Sequence, residues 1–187
     1  MKKISILLIV LSSVAFYSCK ENSKEVEPEV VTIDNSADSQ EIYEVAEVKA
    51  EFNDPKIENL FKQYLKVENA LINTDAKYTA LESSKLSTMI KEMGVDSDEE
   101  ILKATNGMAE TENIALQREH FEPVSEWMEN KLQGALASGT IYKQYCPMAF
   151  NNRGASWLSS GKDVLNPYFG DKMLKCGRVE AEITGVQ

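Results

Sequence analysis

The chain has 187 residues, 30 of them acidic and 20 basic, for a net charge of −10 at neutral pH. A surface of that sign repels nucleic acid and anionic lipid, so polyanion binding is excluded as a function. It carries no Cys-x-x-Cys pair, phosphate-cradling glycine loop or zinc-protease helix motif, which points to a binding protein rather than an enzyme.

Residues 1–18 read as an export signal. Lys2 and Lys3 precede a short apolar stretch, Ile4 to Ala15, too short to span a bilayer, and Ser18 precedes Cys19. A cysteine here, followed at once by polar residues, is the pattern of a bacterial lipoprotein, with Cys19 acylated and the protein held to the membrane in the cell envelope without a spanning helix. Residues 19–54 are rich in Glu, Lys, Ser and Asn and bury too little to fold alone, so they are expected to form a disordered tether. Residues 55–187 then make one domain, large enough for a stable core.

That domain is predicted to be mainly α. Asp54-Pro55 supplies a cap and a first-turn proline, and Ile57, Leu60, Phe61, Tyr64, Val67, Leu71 and Ile72 follow at helical spacing. Asn73-Thr74-Asp75 breaks the chain before a second helix, Ala76 to Met93, whose apolar residues include Ala80, Leu81, Met89 and Ile90, with Gly94 as the stop. Ser97-Asp98-Glu99-Glu100 forms a capping box for a third helix, which Asn106-Gly107 should weaken or end. A fourth runs from about Thr111 to Gly139, with a kink or restart expected at Pro123. Short connections favour an antiparallel four-helix bundle. Met89, Met93, Met108 and Met128 lie on apolar faces and read as core filler.

From residue 140 to about 180 the pattern changes to a loop-rich C-terminal cap. Thr140 to Cys146 and Ala155 to Leu158 are strand-like runs that allow a small β-hairpin around the turn Asn151-Asn152-Arg153-Gly154. Tyr142, Tyr145, Phe150, Trp157, Tyr168 and Phe169 imply that the cap is packed and ordered.

The cap also holds Cys146-Pro147-Met148 and Met173-Leu174-Lys175-Cys176. Thiolate and thioether donors favour Cu(I) over harder ions, so Cys146, Cys176, Met148 and Met173 are candidate metal ligands, with His120, the only histidine, as a possible fifth. Hydrophobic packing is the competing role for the two methionines, and a helix-surface or partly buried position for His120. With Cys19 acylated, two cysteines remain in an oxidising compartment, and a Cys146–Cys176 disulfide is the rival to the metal site.

The runs Tyr145-Cys146-Pro147-Met148-Ala149, Gly154-Ala155-Ser156-Trp157-Leu158 and Asn166-Pro167-Tyr168-Phe169-Gly170 through Met173-Leu174-Lys175-Cys176-Gly177, with Gln117-Arg118-Glu119-His120-Phe121, resemble an uncharacterised domain family of Bacteroidota. The resemblance covers about residues 55–183. Members of that family are short lipoproteins, and the domain is also joined to periplasmic adaptors of CusB-type heavy-metal efflux systems. The resemblance implies copper buffering or delivery to an efflux adaptor. The alternative is a disulfide-stapled helical module that binds a protein partner, with no metal role.

Overall fold

The computed structural model describes residues 42–94 and 99–185. The signal segment, Cys19 and the Ser97-Asp98 cap lie outside them. The described part is about half helical, with five helices and two small antiparallel sheets. No helix among the described residues is long and apolar enough to cross a membrane.

Helix α1 (Pro55–Ile72) starts where Asp54 accepts the Lys56 N–H at 2.8 Å. Helix α2 (Ala76–Glu92) follows with Asp75 accepting the Tyr78 N–H at 2.9 Å, and ends before Gly94, whose φ of +67° suits a residue without a Cβ. Helix α3 (Glu99–Ala109) and helix α4 (Ile114–Leu132), capped by Asn113, complete the helical layer. Helices α1 and α2, α2 and α3, and α3 and α4 pack as neighbours, and α4 also touches α1.

Three expectations change here. Helix α4 does not restart at Pro123 but runs on through it. The lost backbone bond, about 3 kcal/mol in a helix interior, is offset by burial of Phe121, Val124, Trp127 and Met128 along one face. Helix α3 continues past Gly107 to Ala109; a Cβ at Gly107 would meet the His120 ring at 2.6 Å, so glycine permits the close approach of α3 and α4. Leu81 is 52% exposed, and α2 turns Thr79, Glu82, Ser83, Leu86, Ser87 and Ile90 inward instead. Small serines bring α2 close, and Glu82 is held by Lys85 at 2.6 Å and Gln63 at 2.7 Å. Burial alone would raise its carboxyl, but these two bonds hold it below the usual range.

Residues 42–52, part of the expected tether, pack on the body. The Tyr43 N–H donates to Asn73 Oδ1 at 2.9 Å, and the Asn69 and Asn73 amides both donate to the Tyr43 carbonyl at 2.8 Å. Ser160 Oγ donates to the Ala46 carbonyl at 3.1 Å, and Ala50 is buried. Strand β1 (Glu51–Phe52) pairs with β2 (Leu136–Ser138). Polar composition does not prevent order here, because side chains of the body satisfy the backbone of the segment. Beneath it lies a cavity of about 30 Å³ lined by Ala46, Glu68, Asn69 and Ser160 among others. Glu68 is only 5% exposed, and burial holds its carboxyl well above the usual range.

Strand β3 (Thr140–Cys146) pairs with β4 (Ala155–Ser159), forming the expected hairpin, and on its other side with β5 (Arg178–Thr184). The signal for β5 is the alternation of Val179, Ala181 and Ile183 with Arg178, Glu180 and Glu182. Lys143 reaches Glu129 of α4 at 3.0 Å, which turns one face of the sheet to the helices. The opposite face, carrying Gln144 and Cys146 by strand alternation, is covered by residues 160–177. A chain of aromatic contacts, Phe52, Phe61, Tyr64, Phe121, Tyr168 and Trp157, links the layers at centroid spacings of 5.1–6.0 Å.

Candidate functional site: a cysteine pair under a pinned loop

Cys146 ends the central strand opposite Ala155 and has no exposed surface. The chain then reverses through three non-glycine residues in the left-handed region, Phe150 (φ 49°), Asn151 (φ 58°) and Asn152 (φ 66°). Asparagine tolerates that conformation; Phe150 does not do so readily. Its ring is held 5.2 Å from Tyr168 and 5.1 Å from the Arg153 guanidinium, contacts that fix the strained turn. Gly154 follows at φ +80°, and a Cβ there would collide with the Tyr145 hydroxyl.

Cys176 comes from the covering loop, where Asn166 is the organiser. It is fully buried, its Nδ2 donates to the Cys176 carbonyl at 2.7 Å, and its Oδ1 accepts the Tyr168 and Phe169 N–H groups at 2.8 and 3.2 Å. Its own backbone N–H donates to the Leu174 carbonyl at 2.8 Å. Arg118 of α4, 7% exposed, ties the same loop to the end of α1, donating to the carbonyls of Pro167 at 2.9 Å and Leu71 at 3.2 Å. Burial lowers its pKa and the nearby Asp171 opposes that, leaving it below the ordinary arginine value. Gly170, at φ +58°, lies where any Cβ would strike Thr74 and Arg118. Nothing in the spacing of Asn166 and Arg118 marks them as buried anchors; the turn-forming Asn166-Pro167 is the one sequence cue.

This framework brings Cys146 Sγ and Cys176 Sγ to 2.8 Å. Burial, reinforced by the hydrogen bond and charge of Cys146, pushes the Cys176 thiol up to about 11, so when reduced it is neutral at physiological pH. A disulfide bond is about 2.0 Å long. Two thiolates sharing one metal ion stand about 4 Å apart, from metal–sulfur bonds of about 2.3 Å. At 2.8 Å the two cysteines are unbonded, farther apart than a disulfide and closer together than two ligands of one ion.

Of the other candidate ligands, Met148 is 46% exposed on the turn after Cys146. Met173 is half-buried, and its carbonyl accepts the Cys176 N–H at 3.0 Å. The His120 ring lies against Gly107 of α3. Among the described residues no three His, Cys, Asp or Glu side chains gather where they could hold a metal ion. The structure thus brings the two cysteines together and does not group His120 with them.

A second concavity, about 450 Å³, lies between α4 and the sheet. Its rim carries Glu122, Glu126, Glu129, Lys143 and Arg153, with Glu122 paired to Arg153 and Glu129 to Lys143.

No curated protein and no solved structure matches the chain. Residues 60–138 match the family model described as "Protein of unknown function (DUF3347)", a span from within α1 to the end of β2 that includes His120 and stops short of both cap cysteines. The similarity to an uncharacterised domain family is therefore confined to the helices and β2.

Proposed function

We propose that this protein is a non-enzymatic binding module of the cell envelope, anchored through acylated Cys19, in which an antiparallel four-helix bundle presents a C-terminal cap stapled by a Cys146–Cys176 disulfide. The observation that carries the staple is the 2.8 Å approach of two sulfurs that lie 30 residues apart in sequence. The anchor rests on the pattern at Cys19, and the envelope is the compartment in which such a pair oxidises.

A soft-metal role is the second reading, favoured by the exposed thioether of Met148 beside Cys146 and by the resemblance to domains joined to heavy-metal efflux adaptors. Here the reduced pair, with Met148 or Met173, would take Cu(I) as cargo for buffering or delivery. It requires the sulfurs to separate and Cys176 to lose its proton.

Thiol counting and thermal melts of the purified protein, with and without reductant, distinguish the two. The staple predicts no free thiol at Cys146 or Cys176 before reduction. It also predicts a loss of about 3–4 kcal/mol on reduction, from the chain entropy of a loop of this size. Two free thiols before reduction, with tight competition by the reduced protein against a Cu(I) chelator, would replace the staple by the metal reading.

A further inference from the structure

Resting on the disulfide proposed above, we infer that Cys176 is the sulfur through which a thioredoxin-type dithiol oxidoreductase makes and breaks the staple. The two sulfurs differ in access. Cys146 has no exposed surface and sits at the end of the central strand, whereas Cys176 is half-buried, in a loop segment outside any strand or helix. Exchange requires a thiolate to reach one sulfur of the bond, so only Cys176 is open to attack in the folded state. Of its neighbours in sequence, Lys175 and Arg178 are both exposed, Arg178 lying over the Tyr145 ring and 3.6 Å from Glu180.

The exchange has two steps. The partner's thiolate bonds to Cys176 Sγ, the Cys146–Cys176 bond breaks, and its electron pair goes to Cys146 Sγ. The partner's second thiol, once deprotonated, then bonds to the partner's first sulfur, the bond from that sulfur to Cys176 Sγ breaks, and its electron pair goes to Cys176 Sγ. The two protons given up by the dithiol end on Cys146 and Cys176, and the partner leaves as a disulfide. The buried Cys146 is a poorly solvated leaving group, so the staple exchanges more slowly than an exposed one, but at a defined sulfur.

The full chain is incubated, in buffer without denaturant, with a thioredoxin whose second active-site cysteine is serine, and the trapped adduct is mapped by peptide mass spectrometry. The expected result is an adduct on Cys176 exceeding that on Cys146 by about tenfold or more, set by the difference in access. The rate of formation should not change in urea well below the unfolding transition. An adduct mainly on Cys146, an even split, or a rate that climbs with urea from the lowest concentrations would overturn the assignment, because each shows exchange by another route. Two free thiols in the starting protein would instead remove the disulfide itself, a failure visible before any partner is added.

Discussion

Leu60, Phe61, Leu71, Leu86, Met108, Phe121 and Met128 are fully buried among the helices. Asn166 and Gln144 are buried just as completely on the sheet side, and Arg118 nearly so, but all three are bonded to backbone atoms. The difference follows from what each region leaves unpaired. A helix satisfies its own backbone and needs only an apolar face to pack. Residues 160–177 form little regular structure, so their amides and carbonyls need side-chain partners, and polar residues take the place of a core. The helical side should tolerate changes of apolar shape, and the sheet side should not tolerate the loss of a single anchor.

The strongest challenge to that contrast is Asn166→Ala. It removes partners from the Cys176 carbonyl and from two amides, and should cost about 3–4 kcal/mol by urea unfolding, comparable to Leu60→Ala. The two should differ in where protection is lost. Hydrogen exchange should rise in residues 160–177 for Asn166→Ala and throughout α1 to α4 for Leu60→Ala. Equal loss everywhere would mean the two regions form one cooperative unit with no local anchor.

Gly170→Ala comes next, at about 2 kcal/mol, from an unfavourable positive φ and a collision with Thr74 and Arg118. If Gly170→Ala melts like the wild type, the contact between the loop and the end of α1 is looser than described.

A smaller effect sharpens the helical side. The folded Glu68 carboxyl lies above its usual range, so above the ordinary carboxylate pKa the native state binds more protons than the unfolded chain. Stability should therefore fall as pH rises from that range toward the raised value, by up to about 1.4 kcal/mol per pH unit. Glu68→Gln should flatten that slope and be more stable than wild type at neutral pH; an unchanged slope would place the titration elsewhere. The smallest expected change is Lys62→Ala, which breaks an exposed pair with Glu58 and should shift stability by no more than about 0.5 kcal/mol.

The same contrast decides what the sequence made legible. Asp54-Pro55, Asp75 and Gly94 act through local backbone chemistry, and each marks an observed helix end. Tertiary context set the rest. Leu81 satisfies the helical period yet faces solvent, because α2 turns Glu82 toward Gln63 of α1 and Ser87 toward Asn106 of α3. Pro123 and Gly107, read as breakers, are accommodated by packing on α4 and by the ring of His120. In the cap, the hairpin and the meeting of Cys146 with Cys176 follow from spacing and chemistry that a sequence displays. Asn166 and Arg118 were invisible as anchors, since a polar residue becomes a core residue only when the fold supplies a carbonyl for it. The segment 42–52 was hidden for the same reason, its partners being Asn69, Asn73 and Ser160, far along the chain.

That segment has a mechanical consequence. Tension on the chain ahead of residue 42 reaches the Tyr43 clamp before it reaches the two paired residues of β1. Three hydrogen bonds to Asn69 and Asn73 then share the load at the C-terminal end of α1, and the short β1–β2 ladder is spared until they give way. Yielding would begin as a peel from Tyr43 toward Ala50, uncovering the cavity over Glu68 while the helices and the cysteine pair stay in place. In a protein pulled from its N-terminal side, this makes residues 42–50 the fuse, with Ser160 of the cap taking up load through Ala46 once the Tyr43 clamp has given way.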